Sequence, residues 1–103
     1  MGRLRYDNSH EIEINDVLLA HLKLVIITKF RRQESFTLSW IHRDAEPGGR
    51  STVWLHPSVP LHFVFDSVER TSLSPAWLEQ MSASSHSTGG IMLDLDQTAP
   101  PEG

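Results

Sequence analysis

Between residues 16 and 40 the apolar residues change period, and that change constrains the fold more than any other feature of the chain. Leu18, Leu22, Val25, Ile26 and Phe30 recur at the spacing of one helical face, whereas Ser35-Phe36-Thr37-Leu38-Ser39-Trp40 alternates strictly. Strict alternation is the pattern of an antiparallel strand with one side buried, so Phe36, Leu38 and Trp40 are expected to face a core. Asn15 or Asp16 can cap the preceding helix through a side-chain oxygen, and Gln33 or Glu34 marks its end. The β-branched run Val25-Ile26-Ile27-Thr28 would also suit a strand, which leaves a second reading open.

The other segments follow from local chemistry. Arg3 to Tyr6 and Glu11 to Ile14 alternate on either side of Asp7-Asn8-Ser9, which predicts an N-terminal hairpin. Arg43 to Arg50, with Pro47-Gly48-Gly49, reads as a mobile hairpin loop, followed by strands at Thr52 to His56 and Leu61 to Asp66. Leu61, Phe63 and Phe65 form the inward side of the latter. Ser74-Pro75 opens a second helix with a cap and a proline at the first helical position, and Leu73 with Leu78 suits a hydrophobic staple. Trp77, Leu78 and Met81 would anchor it, Gly89-Gly90 would end it, and residues 91–95 would add a closing strand. The order ββαβββαβ predicts an α+β fold: one mainly antiparallel sheet of about six strands, with both helices on one face. Its other face would meet solvent or a partner. A single domain is expected over residues 1–96, with 97–103 a disordered, acidic, proline-containing tail.

Composition excludes several functions. The 103 residues suit one modest core, and the 39% hydrophobic content is enough to fold without disulfides or zinc. There is no cysteine, so no thiolate metal site or disulfide framework exists. The longest apolar runs, Val17 to Ala20 and Leu24 to Ile27, are too short for a membrane span, and Arg3, Arg5 and Asp7 stand where a signal peptide needs its apolar stretch. A soluble cytoplasmic protein is expected. Residues 1–50 carry a net charge of +1 and residues 51–103 one of −5, for −4 overall. An acidic chain holds nucleic acid only locally and weakly, because phosphate binding depends on many cations.

Lys29-Phe30-Arg31-Arg32 is the one dense positive cluster. With Arg43 and Arg50 it supplies the candidate phosphate contacts Lys29, Arg31, Arg32, Arg43 and Arg50, while cations ending a helix also simply complement its dipole. Val17, Ala20, Leu24 and Ile27 form a second apolar arc on the first helix, covered either by loops and the second helix or by a second copy around a two-fold axis. If the strands pair as successive hairpins, a turn centred on Val59 sets His56 opposite His62 and Trp54 opposite Val64 on the open face, with Ile41 beside them. The candidate protein interface is therefore Leu24, Ile27, Trp54, His56 and His62. Opposed histidines can share a metal ion, with Asp66 and Glu69 near in sequence, but a third ligand is not assured and no metal site is assigned. His86 among Ser82, Ser84, Ser85 and Ser87 resembles a nucleophile beside a base only in sequence; no catalytic residue or cofactor is assigned.

Met1-Gly2 with Leu4 and Tyr6, Leu19-Ala20-His21-Leu22, Lys29 with Arg31-Arg32, Glu34-Ser35-Phe36, Trp40, Gly49-Arg50, Trp54-Leu55-His56-Pro57, Pro60-Leu61, Phe63, Phe65, Trp77, Ser87 and Gly90 arrive in an order and spacing similar to a family of small actinobacterial proteins of unknown function. The resemblance spans nearly the whole chain except the tail. Members of that family often carry the label of ATP-dependent DNA ligase. Ligation would need a lysine nucleophile in a Lys-x-Asp-Gly setting, whereas Lys23 precedes Leu24-Val25-Ile26 and Lys29 precedes Phe30-Arg31-Arg32. The residues are therefore expected to form a non-catalytic interaction module, self-associating as a homodimer or binding a protein partner. The alternative is an accessory protein associated with nucleic acid.

Overall fold

The computed structural model describes residues 2–42 and 49–100. Strands β1 (Gly2–Tyr6) and β2 (His10–Ile14) lead into helix α1 (Asp16–Arg31). Strands β3 (Phe36–Ile41), β4 (Arg50–Leu55) and β5 (Leu61–Val64) follow, then α2 (Pro75–Ser85) and β6 (Ile91–Leu93). The β1–β2 turn places Asp7 and Asn8 at φ 54° and 56°, which short polar side chains tolerate, and the Ser9 N–H donates to the Tyr6 carbonyl. Asn15 caps α1 by accepting from the Leu18 N–H, and Ser74 caps α2 by accepting from the Trp77 N–H. Residues 16–31 are helical despite their β-branched run, because the buried stripe Leu18, Leu22, Val25 and Ile26 has helical spacing.

The strands form two sheets instead of one, ordered β2-β1-β5 and β4-β3-β6. All pairings are antiparallel except that of β6, which runs parallel to β3 with Ser39 opposite Met92. The expected β4–β5 hairpin is absent because Pro57 and Pro60 bracket the connection. Each fixes its own φ and disfavours a helical conformation in the residue before it, so neither supplies the positive φ of a tight hairpin. The connector runs instead to the β1–β2 turn, where the Asp7 N–H donates to the Pro60 carbonyl, and β5 pairs with β1 so that Phe63 lies opposite Leu4. Tyr6 Oη donates to the Trp54 carbonyl at 2.9 Å, linking β1 to the outer edge of β4.

The two helices do not share one sheet. Helix α1 packs against β1 and against α2, and α2 packs against β6. The core is nonetheless continuous, joining Leu4, Ile12 and Ile14 of the first sheet to Phe36, Leu38, Leu55, Ile91 and Leu93 of the second through Leu22, Ile26, Trp77 and Met81. Gly90 makes the parallel pairing possible. Its φ is +67°, and a Cβ there would collide with the backbone and hydroxyl of Thr37. Past β6 the chain stays attached: Leu95 is buried, and Asn15 Nδ2 donates to the Gln97 carbonyl at 2.7 Å. Of the loop expected at 43–50, residues 43–48 lie outside the described residues, as do the last three tail residues, and Arg50 already belongs to β4. Among those described, no helix is long and apolar enough to cross a membrane.

Candidate functional site

The basic cluster at the end of α1 is divided by its own helical geometry. Lys29 continues the buried stripe of Leu22 and Val25, and it is only 5% exposed. Its ammonium lies 3.6 Å from Glu34 Oε1, 3.4 Å from His86 Nδ1 and 6.0 Å from the centre of the Phe36 ring. His86 is the C-cap of α2, so the cation sits by the last turn of its own helix and the end of the other, where the carbonyl dipoles favour positive charge. This burial removes Lys29 from the candidate phosphate contacts. Arg31 and Arg32 remain exposed, Arg50 is exposed on β4, and Arg43 lies outside the described residues.

The histidine pair is not assembled. His62 is opposite Arg5 on β5, while His56 lies in the connector with Nδ1 2.8 Å from Ser58 Oγ; Trp54 faces Thr37 instead of Val64. Among the described residues no three His, Asp or Glu side chains gather as a metal site requires. The serines around His86 do not meet its ring in the way sequence adjacency suggests. Ser85 Oγ donates to the Ser82 carbonyl and Ser87 Oγ to the Ser84 carbonyl, while His86 Nδ1 faces Lys29.

The outer faces of the two sheets differ in kind. On the first, Arg3 and Arg5 of β1 stand beside Glu13 and Glu11 of β2, and both arginines reach Glu11 at 3.6 and 3.3 Å. Such a face suits water. On the second, alternation directs Thr37, Ser39 and Ile41 of β3 outward with Arg50, Thr52 and Trp54 of β4 and Met92 of β6. Ser39 and Thr52 join their hydroxyls at 2.7 Å in the centre. Around that pair Ile41, Trp54 and Met92 are 62%, 56% and 55% exposed. Large apolar side chains gathered on one sheet face are informative in a way that scattered ones are not. The exposure of Trp54 was legible in the sequence. Met92 was not, since its place beside Ser39 depends on the parallel pairing of β6.

A second surface lies on the outer side of α1. Leu24 is 40% exposed there, and Ala20, Lys23 and Ile27 lie beside it. Residues 66–74 pass over this side as a strap fastened at both ends. Asp16 accepts from the Asp66 and Ser67 N–H groups at 3.2 and 3.0 Å, and His21 Nε2 accepts from the Ser74 N–H at 2.8 Å. His21 is fully buried and stacks on Trp77, and its Nδ1 lies 2.8 Å from the Val17 carbonyl, which assigns the proton to Nδ1. The sequence held a signal for this role, because His21 is three residues past Leu18 and four before Val25, inside the buried stripe. The strap covers the second arc only in part. A groove of about 430 Å³ remains between Leu24, Ile27, Phe65 and Leu73, with Lys23 and Arg70 also lining it.

The fold and these surfaces define a small α+β domain with two distinct exposed apolar regions. The chain matches, over residues 1–96, the family described as Domain of unknown function (DUF7882), and it belongs to that family. No curated protein and no solved structure matches it.

Proposed function

We propose that this chain is a non-catalytic interaction module that self-associates by packing the outer face of its β4-β3-β6 sheet against the same face of a second copy. The exposure of Ile41, Trp54 and Met92 on that face carries the reading, set against the ion-paired outer face of the other sheet. Pairing about a two-fold axis would bury six half-exposed side chains. At roughly 1 kcal/mol each, the gain is about 6 kcal/mol, against a cost of at least about 4 kcal/mol for lost translational and rotational freedom. The surplus is small. Three strands about 4.8 Å apart and about 20 Å long also present less than the roughly 800 Å² per partner of a standard interface, so the association is weak and depends on concentration.

A phosphate-binding role finds less support, because burial of Lys29 leaves Arg31, Arg32 and Arg50 on two separate elements of an acidic chain. Sedimentation equilibrium tests the proposal directly. Average mass should rise toward that of a dimer as concentration climbs to about 1 mM, and the Ile41→Lys/Met92→Lys variant should stay monomeric with unchanged circular dichroism. A monomer mass for the unmodified chain throughout that range sinks it.

A further inference from the structure

We propose that the groove between α1 and the 66–74 strap is a second binding site, for an acidic peptide segment that bears large apolar anchor side chains. Three observations converge on that occupant. The floor is apolar, with Leu24, Ile27 and Phe65 lining it and Leu73 on the opposite wall, and about 430 Å³ accommodates one or two large side chains. Its charge is biased: among the described residues that line it, Lys23 and Arg70 stand against one carboxylate, Glu69, and exposed Arg31 follows one turn beyond Ile27, in a chain whose net charge is −4. A positive rim favours an anionic partner and disfavours pairing with the same groove of a second copy, which would set Lys23 and Arg70 against their own equivalents.

The strap supplies the third observation. Its ends are fixed to α1 by Asp16 and His21, but among the described residues 70–73 make no hydrogen bond to the rest of the protein, and Val68 stands fully exposed. The attachments lie five residues apart on α1, a rise of about 7.5 Å, while the strap between them is longer than that span requires. The slack holds the wall off the helix and leaves Leu24 uncovered. An apolar anchor seated against Leu24 and Leu73 fills that space, and flanking carboxylates meet Lys23 and Arg70 at the rim. Lys23 Nζ lies 5.7 Å from the centre of the Phe65 ring, which positions its charge beside the floor.

Fluorescence anisotropy of two labelled synthetic peptides, with the full chain as receptor, tests this. One carries leucine and phenylalanine anchors separated by glutamates, and its twin has lysine at every glutamate. The acidic peptide should bind saturably below about 1 mM and the lysine twin at least about tenfold more weakly. Lys23→Glu/Arg70→Glu, both exposed and tolerant of change, should invert that preference, and Leu24→Glu should abolish binding of the acidic peptide. The Ile41→Lys/Met92→Lys variant should bind as the unmodified chain does, so loss of self-association and loss of peptide binding are separable. Absence of saturable binding, equal binding of the two peptides, or a preference unmoved by the double charge reversal overturns the proposal. Binding removed by the sheet-face variant but kept by Leu24→Glu also overturns it, by placing the peptide elsewhere.

Discussion

Gln33 illustrates how a single residue carries strain that the helix around it requires. Helix α1 ends in a double hydrogen-bonded cap: the Gln33 N–H donates to Phe30 and the Glu34 N–H to Lys29, with Gln33 at φ 59°. Glycine is the usual occupant, since a side chain in the left-handed region costs about 1 kcal/mol or more. Gln33→Gly should therefore stabilise the protein by about 1 kcal/mol, read as a rise of roughly 4–8 °C in Tm. Lys29 offers the opposite test. Lys29→Met retains the apolar stem but removes the cation paired with Glu34 Oε1, a buried oxygen with no hydrogen-bond partner among the described residues. The glutamate side chain is 38% exposed, so solvent screens part of the loss, and a cost of about 1–2 kcal/mol is expected in urea denaturation. Lys29→Met/Glu34→Gln should recover part of it, and a strictly additive double variant would show that the pair is not coupled.

At the scale of elements, the strap and α2 depend on two side chains of α1. Asp16→Ala leaves the Asp66 and Ser67 N–H groups to water and should raise amide hydrogen exchange across 66–70 without altering exchange in β3. His21→Phe keeps an aromatic ring against Trp77 but strands the Ser74 N–H, at a cost of about 1–3 kcal/mol with the loosening centred on the start of α2. Uniform exchange changes over the whole chain in both variants would contradict the view that these are local fasteners. The connection from β5 to α2, residues 65–74, belongs to the same account. It is longer than the usual connection of about 4–6 residues, and here it forms one wall of a groove.

For the whole molecule, the informative quantity is how the apolar surface divides between inside and outside. Trp54 reports on it directly. If the β4-β3-β6 face pairs with itself, the tryptophan emission of the unmodified chain should shift to the blue as concentration rises, and this shift should vanish in Trp54→Ser although Trp40 and Trp77 remain; a shift that survives belongs to another surface. Much of this architecture was legible in the chain. Period and capping residues located α1, α2, the first hairpin and the alternating strand, expected at 35–40 and formed at 36–41, because helix spacing, caps and pleat are local properties that a short stretch specifies by itself. Strand partnership was not legible, since which strand lies beside which depends on residues far apart in sequence and on how Pro57 and Pro60 direct the chain between sheets. That one non-local choice made two sheets of the expected one, separated His56 from a partnership with His62, and placed Met92 beside Ser39 on the open face. Lys29 marks the same boundary within a helix: its spacing from Leu22 and Val25 was written in the sequence, but only packing against Glu34, His86 and Phe36 turned a surface cation into a buried one.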